Sequence, residues 1–200
     1  MPLKITICLL YPKYIEIKKD YFEEGFPTEI YNIIMAIQAA YFLSHKIRTN
    51  TEVLLAFLDN DLVIHYIGSE LRFLGPDERS IGMLLMKALE KKDAAREIKI
   101  QSTPGIWIQK KKIADLFCEL GENSQIIVAD TEAETDLERI PQKNITLIIS
   151  NMQREELDGE RLFPNQIILK FGIKDLPTTK RSYLAILKFY SCIDNASGFL

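Results

Sequence analysis

Ile126-Ile-Val-Ala129 and Ile145-Thr-Leu-Ile-Ile149 are short apolar runs with no polar alternation, and their reading decides the fold class. A strand with one wet face alternates apolar and polar residues. A strand buried on both faces does not, and such strands belong to parallel sheets covered by helices. Ile167–Leu169 repeats the pattern towards the carboxyl end and Lys4–Tyr11 towards the amino end. The expectation is an α/β fold, with a mostly parallel sheet and helices on both faces.

Working outward, the intervening segments carry helical periodicity. Ile30, Ile33, Ile34, Ile37 and Tyr41 recur at the spacing of one helix face, with Pro27-Thr28 as the N-cap signal and Leu43 closing the run. Glu52–Leu58 and Leu62–Ile67 are β-rich and flank Asp59-Asn60-Asp61, residues that tolerate left-handed geometry, so a hairpin is predicted. Asp77, after Pro76, predicts the cap of a second helix whose inner face is Ile81, Leu84, Leu85 and Ala88. The charged run Glu90–Glu97 reads as a solvated helix end or loop. Ile106–Gln109 reads as a strand, and Ile113, Leu116, Phe117 and Leu120 as a third helical stripe stopped by Gly121 at C′. A last helix is expected to bury Tyr183, Ile186, Leu187 and Tyr190. Tyr11–Phe26 is polar and lysine-rich, like a loop. No repeat, low-complexity tract or Gly/Ser-rich linker divides the chain, so residues 1–200 are expected to form a single domain.

Composition excludes some function classes. No segment approaches the roughly 20 apolar residues of a membrane helix, and Lys4 and Thr6 break the apolar start, which reads as a strand rather than a signal sequence. Cys8, Cys118 and Cys192 are odd in number, far apart and in apolar contexts. They suggest buried free thiols of a reducing, cytoplasmic setting, with neither a disulfide framework nor a metal pair. A net charge of −3 argues against nucleic-acid binding by bulk electrostatics and leaves room only for a local basic face. GxGxxG after a strand, P-loop, HExxH and GxSxG signatures are absent. Of the two histidines, His45 and His65, the second sits inside a strand and is assigned no role.

Three segments are more polar than a core requires: Phe42-Leu-Ser-His-Lys-Ile-Arg48, Gly68–Ser80 and Gln101-Ser-Thr-Pro-Gly-Ile106. The first follows a helix, where cations meet the negative dipole end, so Arg48 suits either a helix cap or an RNA phosphate. Asp77 and Glu78 suit the positive dipole end of the next helix, with Arg79 in a local salt bridge. Gln101-Ser102-Thr103-Pro104-Gly105 is a turn by composition, and its side chains would also suit a nucleobase edge. Composition leaves these alternatives open.

Together these segments resemble the archaeal tRNA pseudouridine-54 N1-methyltransferase family, one of the SPOUT methyltransferases. In that family the first long helix ends in a segment similar to Phe42–Arg48, and a hairpin leads to one like Ile67-Gly-Ser-Glu-Leu71. Segments like Pro76-Asp-Glu-Arg79 and Gln101–Ile106 then follow in the same order and spacing. The resemblance implies an α/β domain with a C-terminal trefoil knot, S-adenosylmethionine as cofactor, an obligate homodimer and tRNA as partner. It implies methyl transfer to N1 of pseudouridine in the T-loop. Ser44, His45, Arg48, Arg79, Gln101, Ser102 and Thr103 would serve the RNA. Ala129, Ser150, Gly172 and Leu176 would serve the cofactor.

The chain departs from the family where Gly-Asp-His-x-Gly-like loops are usual, having Ser150-Asn-Met-Gln-Arg154 with no glycine until Gly159. The first helix starts Thr28-Glu-Ile-Tyr31 where relatives carry a Gly-Arg-x-Asp group, and an arginine position is Met35. A diverged, non-catalytic, dimeric RNA-binding paralogue is the alternative expectation.

Overall fold

The computed structural model describes residues 3–43, 46–133, 141, 143–151 and 167–196. Strand β1 (Ile5–Tyr11), buried along its whole length, is the middle of an eight-stranded sheet. It pairs in parallel with β4 (Thr51–Phe57) on one side and with β9 (Ile145–Ser150) on the other. Beyond β9, β8 (Gln125–Asp130) and β10 (Leu169–Gly172) extend the parallel part. Beyond β4, β5 (Leu62–Ile67), β7 (Ile106–Lys110) and β6 (Ile100–Thr103) follow in antiparallel pairs. The spatial order is β10-β8-β9-β1-β4-β5-β7-β6. The strands without polar alternation are therefore the parallel ones, as their double burial requires.

Alternation along β1 sends Ile5, Ile7 and Leu9 to one face and Cys8 and Leu10 to the other. The first face is covered by α2 (Thr28–Tyr41), α3 (Glu78–Leu89) and the C-terminal helix Arg181–Ala196, here α5. The second lies under α4 (Ile113–Asn123). A short α1 (Tyr21–Glu24) interrupts the segment after β1, and a two-stranded ribbon of β2 (Phe42–Leu43) and β3 (Lys46–Ile47) follows α2. All five apolar residues of the α2 stripe are buried, each worth roughly 1.5–3 kcal/mol relative to exposure. The Asp77 cap forms as expected, its Oδ1 accepting from Ser80 N–H at 2.8 Å. The hairpin turns at Asp61, whose φ of 47° is left-handed.

Several expectations are corrected. Pro27, not Thr28, is the N-cap of α2: its extended backbone suits that position, and Thr28 is already helical. The helix ends at Tyr41, because Phe42 turns extended to pair with Ile47. Gly121 does not stop α4, which runs to Asn123. Continuation puts Ser124 Oγ within 2.7 Å of the Leu120 carbonyl and 2.6 Å of Thr146 Oγ1 in β9, contacts that offset the roughly 1 kcal/mol cost of a helical glycine. Gln101–Thr103 are strand, not turn, since pairing with β7 recruits them; only Pro104-Gly105 reverse the chain. Ile167 is exposed (79%) and the strand begins at Leu169. The buried stripe of α5 is rotated: Ala185, Ile186, Phe189 and Tyr190 face inward and Leu187 faces out. Cys8 is buried, its thiol pushed up to about 12 by desolvation, whereas Cys118 is exposed and Cys192 partly so.

Candidate functional site

Five parallel strands point the same way, so the sheet has a carboxyl edge and an amino edge. Ligands of open α/β sheets gather at the carboxyl edge, where backbone groups are released from the ladder. There β8, β9 and β10 lie side by side and end in Ala129-Asp130, Ser150 and Gly172. Ala129 faces Phe171 and Asp130 faces Gly172 in register, while Ser150 is opposite Leu10 of β1. The structure thus brings three of the four residues expected at the cofactor onto adjacent strand ends. The fourth, Leu176, closes the turn after β10 through its N–H to the Ile173 carbonyl (3.1 Å) and packs its side chain on the core. Only backbone remains for it to offer.

Polar groups surround this edge. Lys188 of α5 donates to the Gly172 carbonyl at 2.9 Å, and its ammonium lies 5.3 Å from the Phe171 ring centroid. Ile173 N–H donates to the Asp130 carbonyl (2.9 Å), and Asp130 Oδ2 pairs with Lys170 at 3.2 Å. Asn151 N–H continues the ladder to the Leu10 carbonyl (2.9 Å) and its Oδ1 accepts from Ser182 Oγ (2.9 Å). A pocket of about 160 Å³ is lined by Ala133, Gly172, Lys174, Asp175 and Lys188. Asn151, Lys174, Asp175 and Lys188 are neighbours of the site that the sequence reading did not single out; no motif marks them, because α5 and the turn after β10 bring them in. Small strand-end residues with carboxylates and ammonium groups beside them fit a zwitterionic nucleoside such as S-adenosylmethionine. Among the described residues no group of three or more His, Cys, Asp or Glu side chains is placed to hold a metal.

The RNA-side segments lie at the opposite, amino edge. Arg48 precedes β4, Gly68 follows β5, and Pro104-Gly105 join β6 to β7. They interlock through backbone. A Cβ on Gly68 would lie 2.5 Å from both the Arg48 and Thr51 carbonyl oxygens, and Ile67 N–H donates to the Gly105 carbonyl at 2.8 Å. Gln38 Nε2 reaches the Pro76 carbonyl at 2.6 Å, tying the start of α3 to the end of α2. Four segments scattered over the sequence thus form one continuous edge.

Within it the named side chains differ. Ser44 and His45 lie outside the described residues. Arg79 is exposed in the first turn of α3 and has no ion-pair partner among the described residues, unlike the local salt bridge expected. Gln101 is exposed, whereas the Ser102 and Thr103 hydroxyls are enclosed and lack a protein partner among the described residues. Arg48 Nη1 donates to the Ala39 and Ala40 carbonyls at 2.9 and 3.2 Å, and the guanidinium stacks 3.7 Å from the Tyr190 ring centroid. Burial pulls its pKa below the usual arginine value, opposed by Tyr190 and Asp194. The cation caps α2 and clamps it to α5, while the Tyr190 hydroxyl bonds Thr51 Oγ1 at 2.6 Å. Arg48→Ala is expected to destabilise the protein by about 2 kcal/mol, and lysine, lacking the planar fork, should not restore it. Equilibrium denaturation checks this; an unchanged midpoint would remove the capping role.

Residues 25–158 match the family model described as "Putative SAM-dependent RNA methyltransferase". A Methanococcus aeolicus protein named tRNA (pseudouridine(54)-N(1))-methyltransferase is 32% identical over 175 residues, covering 82% of this chain and 83% of that protein. A Haloferax volcanii protein of the same name is 31% identical over 116 residues, and there the match spans only 58% of each chain. The crystal structure of Archaeoglobus fulgidus Nep1 bound to S-adenosylhomocysteine shares the fold, with a TM-score of 0.57 at 11% identity over 97% of this chain and 98% of that one.

The class so defined is an α/β, S-adenosylmethionine-dependent RNA methyltransferase. Within that class, the chain belongs to the tRNA (pseudouridine(54)-N(1))-methyltransferase family.

Proposed function

We propose that this protein transfers a methyl group to N1 of pseudouridine 54 in the T-loop of tRNA, acting as a homodimer of single-domain SPOUT subunits. The observation that carries this reading is the packing of four family-like segments onto one sheet edge while small residues end three adjacent parallel strands at the other. S-adenosylmethionine, when bound, supplies an electrophilic methyl group. The backbone at Ala129, Ser150, Gly172 and Leu176 would hold it, with Asp130 and Asp175 towards its cationic groups and Lys174 and Lys188 towards its carboxylate. The C-terminal trefoil knot that goes with the family is part of this reading, and residues 152–166 lie outside those described.

The nucleophile is a ring nitrogen that has only to lose its proton, so placing it in line with the methyl group dominates the rate. A His-containing triad is not required. The amino edge binds and orients the RNA: Arg79 and Gln101 are the exposed candidates, and Arg48, engaged in capping, positions the segment that carries Ser44 and His45. The two edges are separated by the length of the strands, about 20 Å for six to seven residues. Two copies would let the amino edge of one subunit serve the carboxyl edge of the other, which supports the dimer.

The test pairs calorimetric titration of cofactor with methyl transfer to T-arm RNA carrying either pseudouridine or uridine at the target. Uridine has its N1 blocked by the ribose, so label should enter the pseudouridine RNA alone. Absence of cofactor binding at millimolar concentration would overturn catalysis and leave a non-catalytic RNA-binding dimer, the reading favoured by the glycine-free Ser150–Arg154 stretch.

A further inference from the structure

The face of the sheet that α4 covers is only partly covered. The cluster under α4 ends at Leu54, Ala56 and Val63. Alternation from Val63 places His65 on that same face, and register sets His65 opposite Trp107 and Trp107 opposite Gln101. This row crosses β5, β7 and β6 with side chains about 4.8 Å apart, and among the described residues no helix packs over it. Gln101 is exposed, and His65 and Trp107 are partly so. Trp107 is the only tryptophan in the chain.

The row is held in place and its surroundings are basic. Glu70 Oε2 accepts from the Trp107 indole N–H at 3.2 Å, and Glu52 Oε2 pairs with His65 at 2.9 Å. Both carboxylates thus fix a ring of the row; Glu52 is also paired with Lys4, whereas Glu70 keeps its charge beside the indole. Lys99 lies 4.9 Å from the Trp107 ring centroid, and Lys91 Nζ donates to the Gln101 carbonyl at 2.7 Å along the outer edge of β6. A bond to a neutral carbonyl leaves the ammonium charge uncompensated. Between Lys87 and Lys112 the sequence carries eight basic residues against three acidic, in a chain whose net charge is −3. Lys92 and Lys111 of this run are ion-paired with Glu16 and Glu119, and the cations placed beside the row itself are Lys91 and Lys99.

We propose that the open face around Trp107 is a second tRNA-docking surface, in which an unpaired base stacks on the indole and the backbone lies along Lys91 and Lys99. The proposal rests on the tRNA reading above for the identity of its occupant, and it goes beyond that reading by placing a contact outside the expected segments except at Gln101. An aromatic ring set among cations on an open sheet matches the chemistry of an unpaired nucleotide, where the base needs a π-face and the phosphates need positive charge. A protein partner would call for a broader apolar patch than one ring provides.

The experiment uses the full chain and T-arm RNA containing pseudouridine, followed by both fluorescence anisotropy of labelled RNA and intrinsic Trp107 emission. Bound RNA is expected to quench that emission. Trp107→Ala should weaken binding by about tenfold or more and Trp107→Phe much less. The Lys91→Ala, Lys99→Ala double variant should flatten the dependence of log affinity on log salt by about 1.5. Circular dichroism and cofactor calorimetry establish folding; if Trp107→Ala does not fold, the phenylalanine and lysine variants and the wild-type quench carry the test. RNA binding with unchanged emission, or with unchanged affinity in every folded variant, overturns the second surface and leaves the methyltransferase reading intact. Failure of the wild-type protein to bind the RNA overturns both.

Discussion

Gly105→Ala is expected to destabilise the protein by about 4 kcal/mol, through two effects that add at one position. Its φ is 81°, a left-handed conformation that an L side chain enters only with strain. Its Cβ would also lie 2.5 Å from Leu71 N, 2.6 Å from the Glu70 carbonyl carbon and 2.7 Å from Leu71 Cα. These are main-chain atoms and cannot rotate aside as a side-chain end would. Movement of the turn would stretch the bond from Ile67 N–H to the Gly105 carbonyl, which closes the antiparallel part of the sheet. Gly25 is the internal contrast: its φ is 101°, but nothing lies within 4 Å of an added Cβ, so alanine there meets the backbone term alone. Urea denaturation should show Gly105→Ala far below Gly25→Ala at similar m-values. Equal losses would mean that the β6–β7 turn yields, and that the interlocking of the amino edge is loose.

The glycine explains what the sequence could and could not reveal. Pro104-Gly105 was readable as a turn, because a local rule governs it. That Gln101–Thr103 would be strand was not, because the decision belongs to β7, with which they pair. The same division holds elsewhere. The α2 stripe, the Asp77 cap and the Asp59–Asp61 turn are local patterns and were legible. Gly121 misleads because its helix is carried on by the Ser124 hydroxyl, which donates to the Leu120 carbonyl and shares a hydrogen bond with Thr146 Oγ1 of β9. Arg48 was legible as either cap or RNA ligand, and only the approach of Tyr190, far along the chain, shows how its guanidinium is used. At the carboxyl edge Ala129 and Ser150 could be picked out as strand ends, but Gly172 lies beyond the strand expected at Ile167–Leu169 and ends β10 only because pairing with β8 carries it on, and Lys188 and Asp175 carry no motif. Trp107 escaped because an apolar-looking strand residue gives no sign that its face lacks a helix.

Mixing two inactive variants is expected to restore methyl transfer if the proposed dimer is correct. Gly172→Val places a branched side chain at the end of β10, beside the pocket it helps to line, and should abolish cofactor binding while tRNA still binds. Arg79→Glu reverses an exposed charge at the start of α3 on the amino edge and should lower tRNA affinity while leaving cofactor binding intact. Each alone should reduce activity to near background. If one subunit's amino edge serves its partner's carboxyl edge, a heterodimer of the two variants contains one site in which both edges are wild type. Random reassortment into two-fold dimers then gives about a quarter of the wild-type site number. If instead each subunit binds RNA and cofactor by itself, with the T-arm spanning the roughly 20 Å between its own edges, every site keeps one damaged component and mixing restores nothing. Reassortment must be forced by partial denaturation and refolding and followed with two different affinity tags, so that unmixed homodimers are not mistaken for failure. Recovery in the doubly tagged fraction supports a site shared between subunits. Background activity there, with both variants folded and paired, assigns the complete reaction to a single chain.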